Sequence, residues 1–167
     1  ISGTLHNIYS IGMALEQEGF KIINNITWKK LNPPPNISCR YFVHSTETIL
    51  WAKKDIKKAK HKFNYDLMKE LNGGKQAKDV WESSLTKPSE KKCGKHPTQK
   101  PMVILEKLIL ASTNEGDLVL DPFNGSGTTG IVANKLKRKY IGIDLEKDYL
   151  DLTIKRKEEC NENKSSK

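Results

Sequence analysis

Cysteine is scarce in this chain of 167 residues: Cys39, Cys93 and Cys160 stand far apart, odd in number and in no C-x-x-C spacing. That argues against a disulfide framework and against a zinc site, so no metal is expected, and it suits a reducing cytoplasm. Long apolar runs are missing as well. No stretch of roughly 18 apolar residues occurs, so no membrane-spanning helix is expected. The opening ISGTLHNIYSIG has neither a basic n-region nor a cleavage-site pattern, so no signal peptide is expected; it also lacks an initiator Met, and residues ahead of Ile1 are expected. Acidic charge is short too: 29 Lys+Arg face 20 Asp+Glu, a net +9. The excess is local. Residues 53–100 hold 14 Lys and 6 Asp+Glu, a net of +8, and everything else carries +1. Such a block reads either as a solvated face or as a surface that meets phosphates, where each Lys releases a counterion.

What is present is mostly α/β patterning. Leu5, Ile8, Ile11 and Leu15 recur at helical spacing, predicting a helix over 4–18 with Gly19 just past its end. FKIINNITWKK alternates Phe20, Ile22, Asn24, Ile26 and Trp28, a strand with one polar interruption. LNPPPNIS is a stiff loop, because three prolines remove donors and fix φ. ETILWAKK (47–54) reads as a second strand. The block 55–95 is Lys-rich with weak periodicity and reads as an insertion projecting from the core; HKFNYDLMKELN within it suggests a short strand and a short helix. After HPTQKP the pattern becomes regular: a helix with Pro101 at its first position running through Ser112, a short buried strand at 117–121, a helix at 127–137, a strand at 139–144 and a helix at 146–159. This β-α-β-α order is the mark of a parallel α/β sheet.

The stretch DPFNGSGTTG (121–130) contains Gly125-x-Gly127-x-x-Gly130 between a strand and a helix. Glycines at 125 and 127 let the backbone approach a ligand closely, and the helix that follows favours a carboxylate or phosphate at its N-terminus. Asp144 ends the next strand, where a carboxylate can accept from both ribose hydroxyls. This fits any adenosine-containing cofactor. NAD is disfavoured, because too little chain follows Asp144 for a second β-α-β half and because Pro122 and Phe123 are foreign to the dinucleotide fingerprint.

DPFNGSGTTG resembles the D-x-F-x-G-x-G cofactor motif of S-adenosylmethionine-dependent DNA amino-methyltransferases, and HPTQKP (96–101) resembles the short motif that precedes it in their β-class. NPPPNISCRYFVHSTETILWAKK (32–54) resembles the segment these enzymes carry ahead of their target-recognition region, and YIGID resembles the ribose-binding strand end. The order of these pieces matches the β-class, and the resemblance covers most of the chain. It implies a Rossmann-like methyltransferase fold, a mostly parallel sheet with helices on both faces. It further implies one catalytic domain over 1–167, partial at its N-terminus, with 53–95 as a target-recognition insertion. Cofactor contacts are implied for Thr98, Gln99, Lys100, Asp121, Pro122, Phe123, Asn124, Gly125, Ser126, Gly127, Thr128 and Asp144. Phe123 would pack on the cofactor's adenine or methionine arm, 125–128 would line its methionine portion, Asp144 would hold the ribose, and 98–100 would approach its carboxylate. Thr128 and Thr129 also suit helix capping, and His96, opening a Pro-delimited turn, suits positioning better than base catalysis.

The D/N/S-P-P-Y/F tetrapeptide that would engage the target amine in this family is not found in its expected place; the catalytic residues are expected ahead of Ile1. NPPP (32–35) has Pro35 where the aromatic would stand. A C5-cytosine mechanism is disfavoured, since no Cys follows a Pro. The resemblance points to methylation of adenine N6 in duplex DNA within a restriction–modification system, with a cognate endonuclease and a homodimer as further expectations. Cytosine N4, an RNA or protein substrate, and a decayed module that binds DNA and S-adenosylmethionine without catalysis are the alternatives.

Overall fold

The computed structural model describes residues 1–54 and 60–165, with side chains through Cys160. The chain forms two compact units, one from Ile1–His61 with Lys69–Leu85 and the other from Lys62–Met68 with Thr86–Lys167. Helix α2 (Tyr65–Leu71) contains one of the three points at which the chain passes from one to the other.

In the first unit, β1 (Ser2–Gly3), α1 (Ile8–Gln17), β2 (Phe20–Lys30), β3 (Thr46–Lys54) and β4 (Val80–Ser83) follow in order. The sheet runs β1-β3-β2-β4, antiparallel for β1–β3 and β2–β3 and parallel for β2–β4. The polar interruption in β2 has a structural meaning: the register against β3 shifts between Ile22 and Asn24, so the strand changes face there and Ile26 and Trp28 are buried. Trp28 donates from Nε1 to Ser83 Oγ at 2.8 Å. That bond, and the burial of Trp81, show that residues 80–83 belong to this sheet, although they fall inside the block read as projecting from the core. Helix α1 starts at Ile8 rather than Thr4, because residues 4–7 form a turn in which Asn7 N–H donates to Thr4 O; Leu5 is accordingly exposed. Gly19 ends the helix at φ +74, as its position suggests.

The second unit holds a single 3-10 turn (Pro88–Lys91), α3 (Met102–Ser112), β5 (Leu118–Asp121), α4 (Thr128–Lys135), β6 (Lys139–Gly142) and α5 (Lys147–Ser165). Pro101 precedes α3 as its cap residue, one position earlier than its expected place inside the helix. β5 and β6 pair in parallel, and the α/β class stands. Ile109, Val132 and Ala133 form the core, with Val119 and Tyr140 from the strands packed on it. The alternate strand residues Leu118 and Leu120 are each 58% exposed, so β5 is covered on one face and is not the fully buried strand its apolar run suggests. No strand forms at 61–64. Asn64 instead donates its amide hydrogens to Leu110 O at 2.7 Å and Thr113 O at 2.8 Å, tying the chain to the end of α3. No helix among the described residues is long and apolar enough to cross a membrane.

Candidate functional site

The glycine loop is held by four devices, all within the second unit. At its start, Asp121 accepts the Phe123 N–H at Oδ1 (3.1 Å) and the Thr129 hydroxyl at Oδ2 (2.6 Å). Its carboxylate therefore closes the turn from β5 into α4. In the middle, the buried Asn124 side chain donates to Thr153 Oγ1 at 2.8 Å and Gly125 O at 3.1 Å, and its Oδ1 accepts the Tyr140 hydroxyl at 2.6 Å. At the helix entry, buried Arg156 of α5 donates to Ser126 O and, at 3.1 Å, to Thr128 Oγ1. At the far lip, Asp144 accepts the Gly125 N–H at 2.6 Å and the Glu146 N–H at 3.0 Å.

Two glycines are required by geometry. Gly127 caps α4 at φ +71, and a β-carbon there would overlap Thr153, at 2.5 Å from Oγ1 and 2.8 Å from Cβ. Gly125 sits at φ +50, and a β-carbon would lie 3.2 Å from His96 Nε2. The HPTQKP turn thus lies against the glycine loop through its imidazole. His96 meets the Tyr149 ring edge-on at 4.3 Å, and its Nδ1 accepts the Thr98 N–H at 3.3 Å. Burial lowers the His96 pKa, the Asp144 carboxylate opposes that, and Lys100 adds to it. The N–H groups of Glu146 and then Gly125 hold the Asp144 carboxyl below the usual range.

Of the residues singled out in the sequence, the structure brings His96, Asp121, Asn124, Gly125, Ser126, Gly127, Thr128 and Asp144 around one loop. Phe123 is 88% exposed and Pro122 is exposed beside it, leaving an apolar surface at the mouth. Ser126 and Thr128 turn inward, their hydroxyls 3.2 Å apart, and both residues are buried. Gln99 turns away: its side-chain amide donates to Glu90 O at 2.9 Å and its backbone carbonyl accepts the Thr86 hydroxyl at 2.6 Å, which braces the HPTQKP turn against the preceding segment. Lys100 donates to Thr98 O at 3.3 Å.

Sequence reasoning missed Tyr140, Tyr149, Thr153 and Arg156. A signal existed for three of them. Tyr149, Thr153 and Arg156 fall at i, i+4 and i+7, one face of α5, and that face is turned to the loop. The 100% exposed Leu145, next to Asp144, was also overlooked.

The arrangement suits a nucleoside with a charged tail. A carboxylate has about four lone-pair positions; two on Asp144 are taken by N–H donors, which leaves acceptors for a ribose diol. The start of α4 offers backbone N–H groups to an anionic group. No cluster of three or more His, Cys, Asp or Glu side chains placed to hold a metal ion exists among the described residues.

Comparison with known proteins agrees. The DNA methylase family profile matches residues 1–155. The Type II methyltransferase M2.DpnII of Streptococcus pneumoniae is 72% identical over 97% of this chain, and M2.MboI of Moraxella bovis is 56% identical over 93% of it. The chain spans 60% of the length of the first and 57% of the second. Among solved structures, the M1.HpyAVI–SAM complex superposes with a TM-score of 0.75 at 40% identity, covering 93% of this chain and 72% of that one. The cytosine-N4-specific PvuII DNA methyltransferase, at 20% identity and a TM-score of 0.72, shares the fold.

Proposed function

The chain belongs to the DNA methylase family, and on that premise we propose that it binds S-adenosylmethionine in a site-specific DNA amino-methyltransferase acting on adenine N6. The observation that carries the reading is the loop from Asp121 to Thr128 closed by Asp144. Its Asp144 carboxylate keeps lone pairs for a ribose, and Phe123 stands exposed for an adenine or thioether face.

Cofactor contacts are proposed for Phe123 and Pro122 at the mouth, for the backbone of Gly125, Ser126, Gly127 and Thr128, for Asp144 at the ribose, and for Thr98 and Lys100 at the cofactor carboxylate. Asp121, Asn124 and Gln99 contribute by fixing the loop and the HPTQKP turn. S-adenosylmethionine held there would supply a methyl group activated on a sulfonium, leaving as S-adenosylhomocysteine, with the proton of the methylated amine passing to solvent. The residues around the loop set the angle and depth at which that methyl is presented, and much of the rate of such a transfer comes from positioning.

Duplex DNA is the proposed partner, and residues 53–95 the proposed target-recognition segment, on the strength of their positive charge. A homodimer and a cognate restriction endonuclease complete this reading. Calorimetric titration with S-adenosylmethionine and, separately, NAD tests it. Micromolar binding of the first alone is expected; binding of NAD, or of neither, overturns the cofactor assignment.

A further inference from the structure

Arg156 lies beneath the glycine loop with only 4% of its surface exposed. We propose that it is a positioning residue for the cofactor, whose buried charge makes the loop select a nucleoside with a carboxylate on its tail. This rests on the S-adenosylmethionine reading and adds the source of that selectivity, on a helix, α5, to which no cofactor contact is assigned.

Three observations carry it. The first is a charge without a counter-ion. Among the described residues Arg156 makes no ion pair, although two carboxylates, Glu90 and Glu159, stand in its surroundings. Each is turned to other groups. Glu90 accepts the Met102 N–H at 2.9 Å, and Glu159 accepts the Cys93 thiol at 2.9 Å, with Lys92 Nζ 4.0 Å from its other oxygen. Burial lowers the Arg156 pKa, while Cys160, Glu90, Cys93 and Glu159 oppose that; a guanidinium starts so high that it keeps its proton. The groups that accept its hydrogen bonds, a carbonyl and a hydroxyl, are both neutral. A buried charge is unfavourable unless an opposite charge answers it.

The second is where those bonds go. Both leave from one nitrogen, Nη1, and reach the two sides of Gly127: Ser126 O before it and Thr128 Oγ1, at 3.1 Å, after it. Gly127 is the cap residue of α4, and Thr153, about one turn earlier on α5, fills the space beside the same glycine. The guanidinium therefore sits behind the turn that opens α4. No side chain caps this helix, so its first-turn N–H groups remain donors. A full positive charge is thereby added to the roughly half charge of the helix end.

The third is the sign of the loop itself. Asp121 and Asp144 place two carboxylates at its ends. A ligand carboxylate brought to this loop is repelled unless cations outweigh them. Lys100 answers part of that charge from the HPTQKP turn, half-buried and so in contact with salt. Arg156 answers it from the interior, where salt screens it much less.

Two ligands that differ only in the carboxylate test this: S-adenosylmethionine and its decarboxylated form. Calorimetry measures both against the wild-type chain, Arg156→Gln and Arg156→Lys, at about 50 mM and about 500 mM salt, which spans strong to weak screening lengths. The wild type is expected to prefer the carboxylated ligand and to keep that preference at the higher salt. Arg156→Gln should lower the affinity for S-adenosylmethionine roughly tenfold and leave the decarboxylated ligand unweakened. Arg156→Lys, which returns the charge, should restore most of the preference. If Arg156→Gln weakens both ligands equally, the residue only braces the loop, and the proposal falls while the cofactor reading stands. If the wild-type preference fades as salt rises, cations in contact with solvent set it, Lys100 among them, and the proposal falls again. That arm needs no variant, so it decides the matter even where Arg156→Gln unfolds. Binding of neither ligand to the wild type overturns the cofactor reading itself, and the proposal with it.

Discussion

Tyr140 donates its hydroxyl hydrogen to Asn124 Oδ1 across 2.6 Å, and the Tyr140 oxygen lies 2.6 Å from where a β-carbon on Gly142 would sit. The amide of Asn124 also reaches Thr153 at 2.8 Å. One buried side chain therefore ties β6 and α5 to the glycine loop. Burial and then the nearby Asp121 carboxylate push the Tyr140 phenol well above its usual pKa, so it remains a donor through the alkaline range.

Tyr140→Phe removes that donor and leaves the buried Asn124 oxygen unpaired. The expected loss is about 1–3 kcal/mol of folding stability, read by urea unfolding. An unchanged unfolding midpoint with an unchanged slope would show that the bond contributes nothing.

Two of the positive-φ glycines, Gly127 and Gly73, separate strain from overlap. Gly73, at φ +67, has nothing within 4 Å of an added β-carbon, so Gly73→Ala should cost about 1–2 kcal/mol through backbone conformation alone. Gly127→Ala adds the collision with Thr153 on the buried side of the loop and should cost more, with a loss of S-adenosylmethionine binding. Equal costs for the two variants would mean that Thr153 yields freely.

Element type was largely legible in the chain, because β2, β3, α3, α4 and α5 each carry a strong apolar period or a strong boundary residue. Less legible was what each face meets. DLVLD reads as buried on both sides, yet only Val119 faces the core while Leu118 and Leu120 look outward. Val80–Ser83 is too short and too charged in its surroundings to declare itself a sheet member; its place depends on pairing with Thr27–Lys30, more than fifty positions away. At the site, the glycines and Asp144 announced themselves because backbone conformation and chain order constrain them. Asn124 and Gln99 matched a motif, but the direction of their side chains is set by Tyr140, Thr153 and Glu90, which local sequence does not relate to them.

Asp144 should show itself twice. Asp144→Ala should weaken S-adenosylmethionine binding by about 1–3 kcal/mol, the scale of hydrogen bonds to a charged group; calorimetry showing equal affinity would remove Asp144 from the ribose site. Its pKa is lowered in the folded chain by the Glu146 and Gly125 N–H groups. A depressed carboxyl contributes stability that is complete above the unfolded aspartate pKa of about 3.9 and is lost as pH falls through the lower folded value. Thermal unfolding of the wild type should therefore lose this contribution only in strong acid, and the Asp144→Asn variant should lack that step. A step near neutrality would point to His96, whose own pKa burial lowers.

The charge asymmetry gives the last test. Residues 53–100 carry a net +8 against +1 for everything else, so any phosphate contact made by this chain should draw on Lys from that block. Each Lys that neutralises a phosphate of duplex DNA contributes about 0.9 to the slope of log affinity against log salt. Replacing Lys53, Lys58 and Lys60 with Gln should flatten that slope by up to about 2.7, with affinity falling most at low salt and converging with the wild type as salt rises. A solvated Lys face predicts a different result: the slope would stay parallel to the wild type, and the DNA-contacting surface would have to be sought among the remaining cations, beginning with Arg40 between β2 and β3. The measurement separates the two because screening acts on phosphate contacts and not on the fold of the chain.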